Sequence, residues 1–339
     1  MKNFFIAFLC LSIFGCSPGF YIRAAYEESK ILLARQNIQK LIKEKNINPE
    51  LQRKLKLVTD ARDFAEKMGL TPKQSFTTYS QVDNDVLVWV VAGCKPTSFE
   101  LHTWWFPIVG EVPYKGFFSK KAAEKEERRL QTLGFETSIR GSEALSTLGW
   151  FNDPVLSTTL KNQDDWIVNT VIHETTHSTV WIPGSVPFNE SLASFVGFQA
   201  AIEFYTSIAD PHWIGIANKR NDMEFEIALV LEDLYSELDE LYKSKASEQV
   251  KLILRSKIFT KHVNPLHKKY PEMRILKEIN NSQLMQLKFY MTKLTSFKKL
   301  WIKVDRNWPN FFTEIKKISS LSKDNSKLDP YKHLEQALE

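Results

Sequence analysis

The chain has 339 residues, 43% of them hydrophobic and 25% charged, with 23 Phe and 9 Trp. That length suits one large domain or two modest ones, and the apolar content excludes a disordered tail, a collagen-like repeat and a coiled-coil rod. Lys and Arg number 45 against 40 Asp and Glu, so the net charge is +5, too mild over this length to argue for a nucleic-acid partner. Three cysteines cannot build a disulfide framework.

The amino terminus opens with Met1 and Lys2, continues uncharged from Phe4 to Gly15, and reaches Cys16. A positive start, a short apolar run and a small residue before the cut are the parts of a secretory signal peptide. The run is too short to span a bilayer, which needs roughly 20 residues. Ile13-Phe14-Gly15-Cys16 is similar to the bacterial lipoprotein box, in which the cysteine is diacylated and becomes the first residue of the mature chain. That resemblance implies removal of residues 1–15, a membrane partner through the lipid on Cys16, and a place in the bacterial cell envelope. Ser17 resembles the residue that permits sorting to the outer membrane. Cys10 is then lost, and Cys94 remains as a buried core thiol.

Tyr21 to Lys45 has helical spacing, and Asn48-Pro49 reads as an N-cap followed by proline at the first position of a second helix. Leu51, Leu55, Val58, Phe64 and Met68 carry that helix to a stop at Gly69. Val86–Ala92 and Thr103–Val109 are β-branched and aromatic and predict strands, the second or its neighbour with an edge along which an extended peptide can add. A charged helix follows over Ser119–Thr132, ended by Gly134, and then a strand over Phe135–Arg140. Helices are predicted over Asp164–Trp181, Phe188–Tyr205, Asp222–Tyr242, Ser247–Lys261 and Ser282–Ile302. From Ser319 the chain is polar and Lys-rich, a frayed end or a surface helix. The expectation is an α+β fold, mostly helical with a small mixed N-terminal sheet. Residues 16–318 form one domain, its sheet part at about 75–150 and its helical part at about 151–318, before a polar tail at 319–339.

Residues 171–177 read Val-Ile-His-Glu-Thr-Thr-His, an H-E-x-x-H motif inside a helical segment whose start, Asp164-Asp165, supplies caps. Residues four apart share a helix face, so His173 and His177 can point at one metal ion, with Glu174 beside them to act on a water. A catalytic zinc usually has three protein ligands. Trp181-Ile182-Pro183-Gly184-Ser185-Val186-Pro187 must end the helix and reverse the chain, which turns Glu190, on the opening turn of the next helix, back toward the histidines. Ala193 and Gly197 lie on that side and let the helices approach closely. A di-iron bundle would need a second E-x-x-H, and the sequence has none. A structural zinc site would want a shell rich in cysteine, and Cys94 is the one spare thiol. The Lys-rich stretches 288–303 and 316–327 are interleaved with apolar helix positions, the pattern of a solvated face; no nucleic-acid partner is expected.

H-E-x-x-H followed by N-E-x-x-A resembles the gluzincin metallopeptidases. Further stretches narrow the resemblance: Thr103–Gly110, Val112–Phe118, Ser146–Pro154, Phe188-Asn189-Glu190, and Asn280-Asn281 ahead of Tyr290. The chain is thereby similar to the bacterial putative aminopeptidase family of zincin-like lipoproteins, from about Tyr21 to at least Tyr290. The resemblance implies a zincin-like fold and a hydrolase of peptide or protein substrates. One zinc ion would be held by His173, His177 and Glu190, with Glu174 taking the proton of the attacking water and passing it to the departing amine. An oxyanion partner is also needed, for which Tyr290, Tyr205 and Tyr114 are candidates. Metal-bound imidazoles need acceptors on their other nitrogens, and Ser194, Asn169 or a backbone carbonyl could serve. Ser194 stands where some gluzincins place an Asp. The G-x-M-E-N stretch of the best-known gluzincin aminopeptidases is absent, leaving Glu100, Glu111 or Glu203 to grip a free amino group. The alternative is a non-catalytic envelope lipoprotein that keeps the fold as a binding or assembly factor.

Overall fold

The computed structural model describes Tyr26 and residues 29–83, 86–106, 110–142, 152–324 and 329–339. The expected signal peptide, Cys10, Cys16 and the stretch 146–151 lie outside the described residues. The helix expected over Tyr21–Lys45 is interrupted. Residues 29–33 are helical, but β1 (Gln36–Asn37) then pairs antiparallel with β2 (Thr78–Ser80). Asn37 accepts from the Lys40 backbone N–H at 3.0 Å and caps the short α1 (Ile38–Leu41). A pairing partner forty residues downstream thus overrides a local helical period. The second helix forms as read, α2 (Pro49–Lys67), with Asn48 accepting from the N–H groups of Glu50 and Leu51 at 2.9 and 3.1 Å. Gly69 ends it at φ +96°, a conformation with no steric cost for glycine.

The central strands are β3 (Val88–Cys94), β4 (Trp104–Phe106), β5 (Gly110–Val112) and β6 (Tyr114–Phe117). After α3 (Lys120–Thr132) come β7 (Glu136–Ser142) and β8 (Val155–Leu156). Among the described residues they make three small sheets, ordered β1–β2–β8, β6–β3–β7 and β4–β5. All pairs are antiparallel except β2 with β8, so the sheet content is mixed. β7 is an edge strand whose register sets Arg140 opposite Val90.

The rest is helical. α4 (Asp164–Thr179) and α5 (Val186–Ser207) are joined by a tight reversal in which Gly184 takes φ +76°. Asn189 pins that reversal, accepting from the Ile182 N–H at 2.9 Å and donating to the Ile182 carbonyl at 2.8 Å. α2, α4 and α5 share the largest core, in which Leu55, Ile167, Val171, Ile172, Leu192 and Phe195 are wholly buried. Asp164 and Asp165 do not cap α4; that position falls to Gln163, whose side chain makes no capping bond. They fill the first turn instead, where carboxylates favour the helix dipole, and are held by Arg53 and Arg220. α6 (Pro211–Lys243) and α7 (Glu248–Lys269) enclose a second core around Ile227, Leu234 and Leu266.

The helix expected over Ser282–Ile302 is two helices, α8 (Asn281–Met291) and α9 (Leu294–Lys303), separated by an extended Thr292 and a left-handed Lys293. Ser191 of α5 satisfies the break, donating to the Phe289 carbonyl and accepting from the Thr292 N–H, both at 3.0 Å. Beyond it lie α10 (Trp308–Asp324) and α11 (Pro330–Gln336). The polar tail is therefore anchored: Leu334 is fully buried, and the Tyr331 hydroxyl donates to the Pro187 carbonyl at 3.0 Å, at the start of α5. Among the described residues no helix is long and apolar enough to cross a membrane.

Gly197 sets the spacing of α4 and α5. A Cβ there would lie 3.0 Å from Asn169 Nδ2 and 3.1 Å from the Asn169 carbonyl oxygen, which is backbone and cannot swing away. Gly197→Ala is expected to lower unfolding stability by about 1–3 kcal/mol, measured by urea denaturation, although alanine is the better helix former on an isolated helix.

Candidate metal centre

The helical period of α4 stacks His173 and His177 on one face, and the reversal pinned by Asn189 brings Glu190 against them. The two Nε2 atoms are 3.2 Å apart, and Glu190 Oε2 lies 3.3 Å from His173 Nε2 and 3.4 Å from His177 Nε2. A tetrahedral ion with bonds of about 2.0–2.1 Å holds its ligands about 3.3–3.4 Å apart. The three side chains therefore form a triangle of the size such an ion requires, and this group could hold a metal ion.

Glu190 and His177 are both buried. Burial alone would favour a neutral Glu190, but the two imidazoles outweigh it and hold the carboxyl far below its ordinary range. Burial likewise opposes a charge on His177, and the Glu190 carboxylate overcomes it and lifts the imidazole above its ordinary value. His177 Nδ1 is buried without a hydrogen-bond partner among the described residues. Neither Ser194 nor Asn169 supplies the acceptor expected there, although both line the same cavity.

That cavity has a volume of about 600 Å³ and is bordered by His173, Glu174, Arg140 and Tyr290. One carboxylate oxygen of Glu174, Oε2, is buried with no partner among the described residues, so no protein donor occupies its lone pairs. Trp166, Phe198, Leu287 and Met291 give the walls apolar surface.

The structure separates the three tyrosines. Tyr290 borders the cavity, its ring centroid 6.3 Å from that of His173, and Arg140 Nη2 donates to its hydroxyl at 3.1 Å. Burial, reinforced by Glu190, holds that hydroxyl well above its ordinary value, so it keeps its proton. Tyr114 is pushed up to about 12, first by burial and then by Glu190, but it does not border the cavity. Tyr205 stands apart. It packs against Phe204 and Trp213, and burial first, then carboxylates that include Asp164 and Asp165 at the opposite end of α4, raise its hydroxyl above the ordinary value.

Of the acidic candidates for an amine site, none borders the cavity. Glu203 accepts from Trp308 Nε1 at 2.7 Å and ties α5 to α10; Glu100 and Glu111 are exposed. Among the described residues the edge strand that borders the cavity is β7, through Arg140 and Gly141; residues 107–109 of the strand expected over Thr103–Val109 lie outside the described residues. Two residues escape the sequence reading. Arg140 reaches Tyr290 only because β7 folds against α8. Glu224 is 7% exposed on α6 and borders the cavity; the available signal is its place on the buried stripe Ala217, Asn221, Glu224, Ala228 and Leu231, where a carboxylate is out of pattern.

Fold and cluster together define an α+β protein whose helical part carries a group able to take a metal ion. The chain belongs to the putative aminopeptidase family, whose model matches residues 19–328. Comparison with curated proteins finds no match, and neither does comparison with solved structures.

Glu224 makes stability depend on pH. Burial pushes its carboxyl up to about 7 from 4.5, while Arg220 pulls the other way. The native state then holds the proton longer than the unfolded chain, so this contribution falls as pH rises from 4.5 toward 7 and is level above. Glu224→Gln should remove the fall. Relative to the variant, wild type is expected to lose about 2–3 kcal/mol between about pH 5 and about pH 8, read from urea denaturation at both pH values.

Proposed function

We propose that the protein is a zinc-dependent aminopeptidase of zincin-like type, tethered to the bacterial cell envelope by a lipid on Cys16. The observation that supports the hydrolase reading is the His173–His177–Glu190 triangle, 3.2–3.4 Å on a side, one corner of which, His173, borders a cavity that Glu174 also borders. Two imidazole nitrogens and one carboxylate oxygen suit a tetrahedral zinc with a position left open. Bound there, the ion supplies Lewis acidity for a carbonyl oxygen and for water.

The chain's own residues do the rest. Glu174 takes a proton from the attacking water and returns it to the amine that leaves. Tyr290 keeps its O–H proton and accepts from Arg140, so it can donate to the oxygen on which charge develops. Trp166 and Phe198 line the cavity with apolar surface that limits water around those groups. The peptidase class is supported by the family match. The tether is supported by the uncharged run before Cys16.

Metal analysis and peptide hydrolysis on the same preparations test the mechanism. Wild type should carry about one zinc per chain, and Glu174→Gln should keep the ion while losing about 10²–10⁴ in turnover. His177→Ala should lose the ion. Cleavage by Glu174→Gln at the wild-type rate would remove Glu174 as the base.

The tether has its own test. Cys16→Ser is expected to abolish labelling by radioactive palmitate and to move the protein from the membrane fraction to the soluble one.

A further inference from the structure

One turn of helix behind the metal ligands lies a second polar layer with no established task. Asn169 stands four residues before His173 on α4, and Ser194 four residues after Glu190 on α5. Because the two helices run antiparallel, both displacements go the same way, about 6 Å along the axes. Glu224 reaches the same cavity from α6, so three helices supply Asn169, Ser194 and Glu224 to it.

This layer lacks partners. Asn169 Nδ2 is buried without a hydrogen bond among the described residues. The Glu224 carboxylate, 7% exposed, feels only burial and the field of Arg220. Arg220 is engaged elsewhere: its Nε donates to Asp165 at 2.5 Å, its Nη2 donates to Gln163 at 3.2 Å, and its guanidinium lies 5.2 Å from the Trp166 ring centroid. A carboxylate buried without a donor is costly, and it accepts hydrogen bonds but cannot give them when ionised. In its ionised form it is completed by a donor, best a cation, which also favours that form over the protonated one.

We propose that Glu224 holds the α-ammonium group of a peptide's first residue. This rests on the hydrolase reading of the neighbouring triangle and names the part of the substrate that the cavity selects. A carboxylate on the wall of the cavity that His173 and Glu174 also border suits an amine two bonds from the scissile carbonyl better than one at the end of a lysine's four-carbon stem. Ser194 adds a hydroxyl lone pair on the same wall. With the amine fixed there, the first peptide bond, and no later one, reaches the ligands.

The test is binding, measured by calorimetry on full-length zinc-loaded protein below its turnover temperature. The ligands are an unblocked tripeptide, its N-acetylated analogue, and acetylated tripeptides beginning with lysine or norleucine. Wild type should bind the unblocked peptide about thirty-fold or more tighter than the acetylated one, and Glu224→Gln should erase the difference while keeping its zinc and its cooperative unfolding. Equal binding of the blocked and unblocked peptides by wild type would overturn the proposal without any variant. A preference for acetyl-lysine over acetyl-norleucine that Glu224→Gln abolishes also overturns it, by placing a side-chain amine at Glu224. Hydrolysis of blocked and unblocked peptides at one rate sinks the amine site and leaves the hydrolase standing; a preserved amine preference with no hydrolysis of any peptide does the reverse.

Discussion

The close approach of α4 and α5 is what the site depends on. Packed helices lie about 8–10 Å apart, the distance set by the side chains between them, and the bond-sized triangle of one carboxylate and two imidazoles depends on that spacing being held. Gly197 against Asn169 removes one of those side chains, and Ala193, fully buried, adds a second small contact. The reversal between the helices is held by Asn189 through two hydrogen bonds to one residue, Ile182. Asn189 thus belongs to the site although it touches no ligand: it fixes the angle at which Glu190 enters.

That arrangement opposes stability locally. Glu174 Oε2, His177 Nδ1 and Asn169 Nδ2 are buried without partners among the described residues, and each such group costs about 1–3 kcal/mol when nothing satisfies it. All three come from one helix, which also sends Ile167, Val168, Val171 and Ile172, fully buried, into the core. A core that pays nothing on one side and leaves polar groups open on the other is what a preorganised site requires, since groups already satisfied inside the protein cannot serve a ligand.

How much of this was legible in the sequence follows from the range of the interactions. The histidine pair and Glu174 are set by helical period within five residues, and Glu190 by a Pro/Gly reversal that must turn the chain back. Both signals are local, and the structure brings all three predicted ligands together. α2 was equally readable, because its cap, Asn48, sits beside it. The interrupted helix at Tyr21–Lys45 was not, since β2 supplies the competing hydrogen bonds from a distant part of the chain. The break between α8 and α9 was hidden for the same reason: Ser191, a hundred residues earlier, satisfies it. Arg140 has an ordinary local context within a strand, and Glu224, although out of pattern on a buried stripe, acquires meaning only where four helices and a sheet edge share one cavity.

The placement of Asp165, Asn169, His173 and His177 gives α4 a graded use of one stripe. At its start, Asp165 is neutralised by Arg220 and Asp164 by Arg53, which ties α4 to α6 and α2. One turn on, Asn169 borders the cavity, and the next two turns carry the imidazoles. α5 is fixed at the corresponding end by the tail, through Tyr331 on Pro187 and the edge contact of Tyr331 with Phe188, ring centroids 5.2 Å apart. Each ligand helix is therefore anchored outside the site, α4 by ion pairs and α5 by aromatic packing, so the ligand triangle need not hold itself together. This explains why a polar, Lys-rich C-terminus ends in a buried Leu334: its last helix bears on the turn that delivers Glu190.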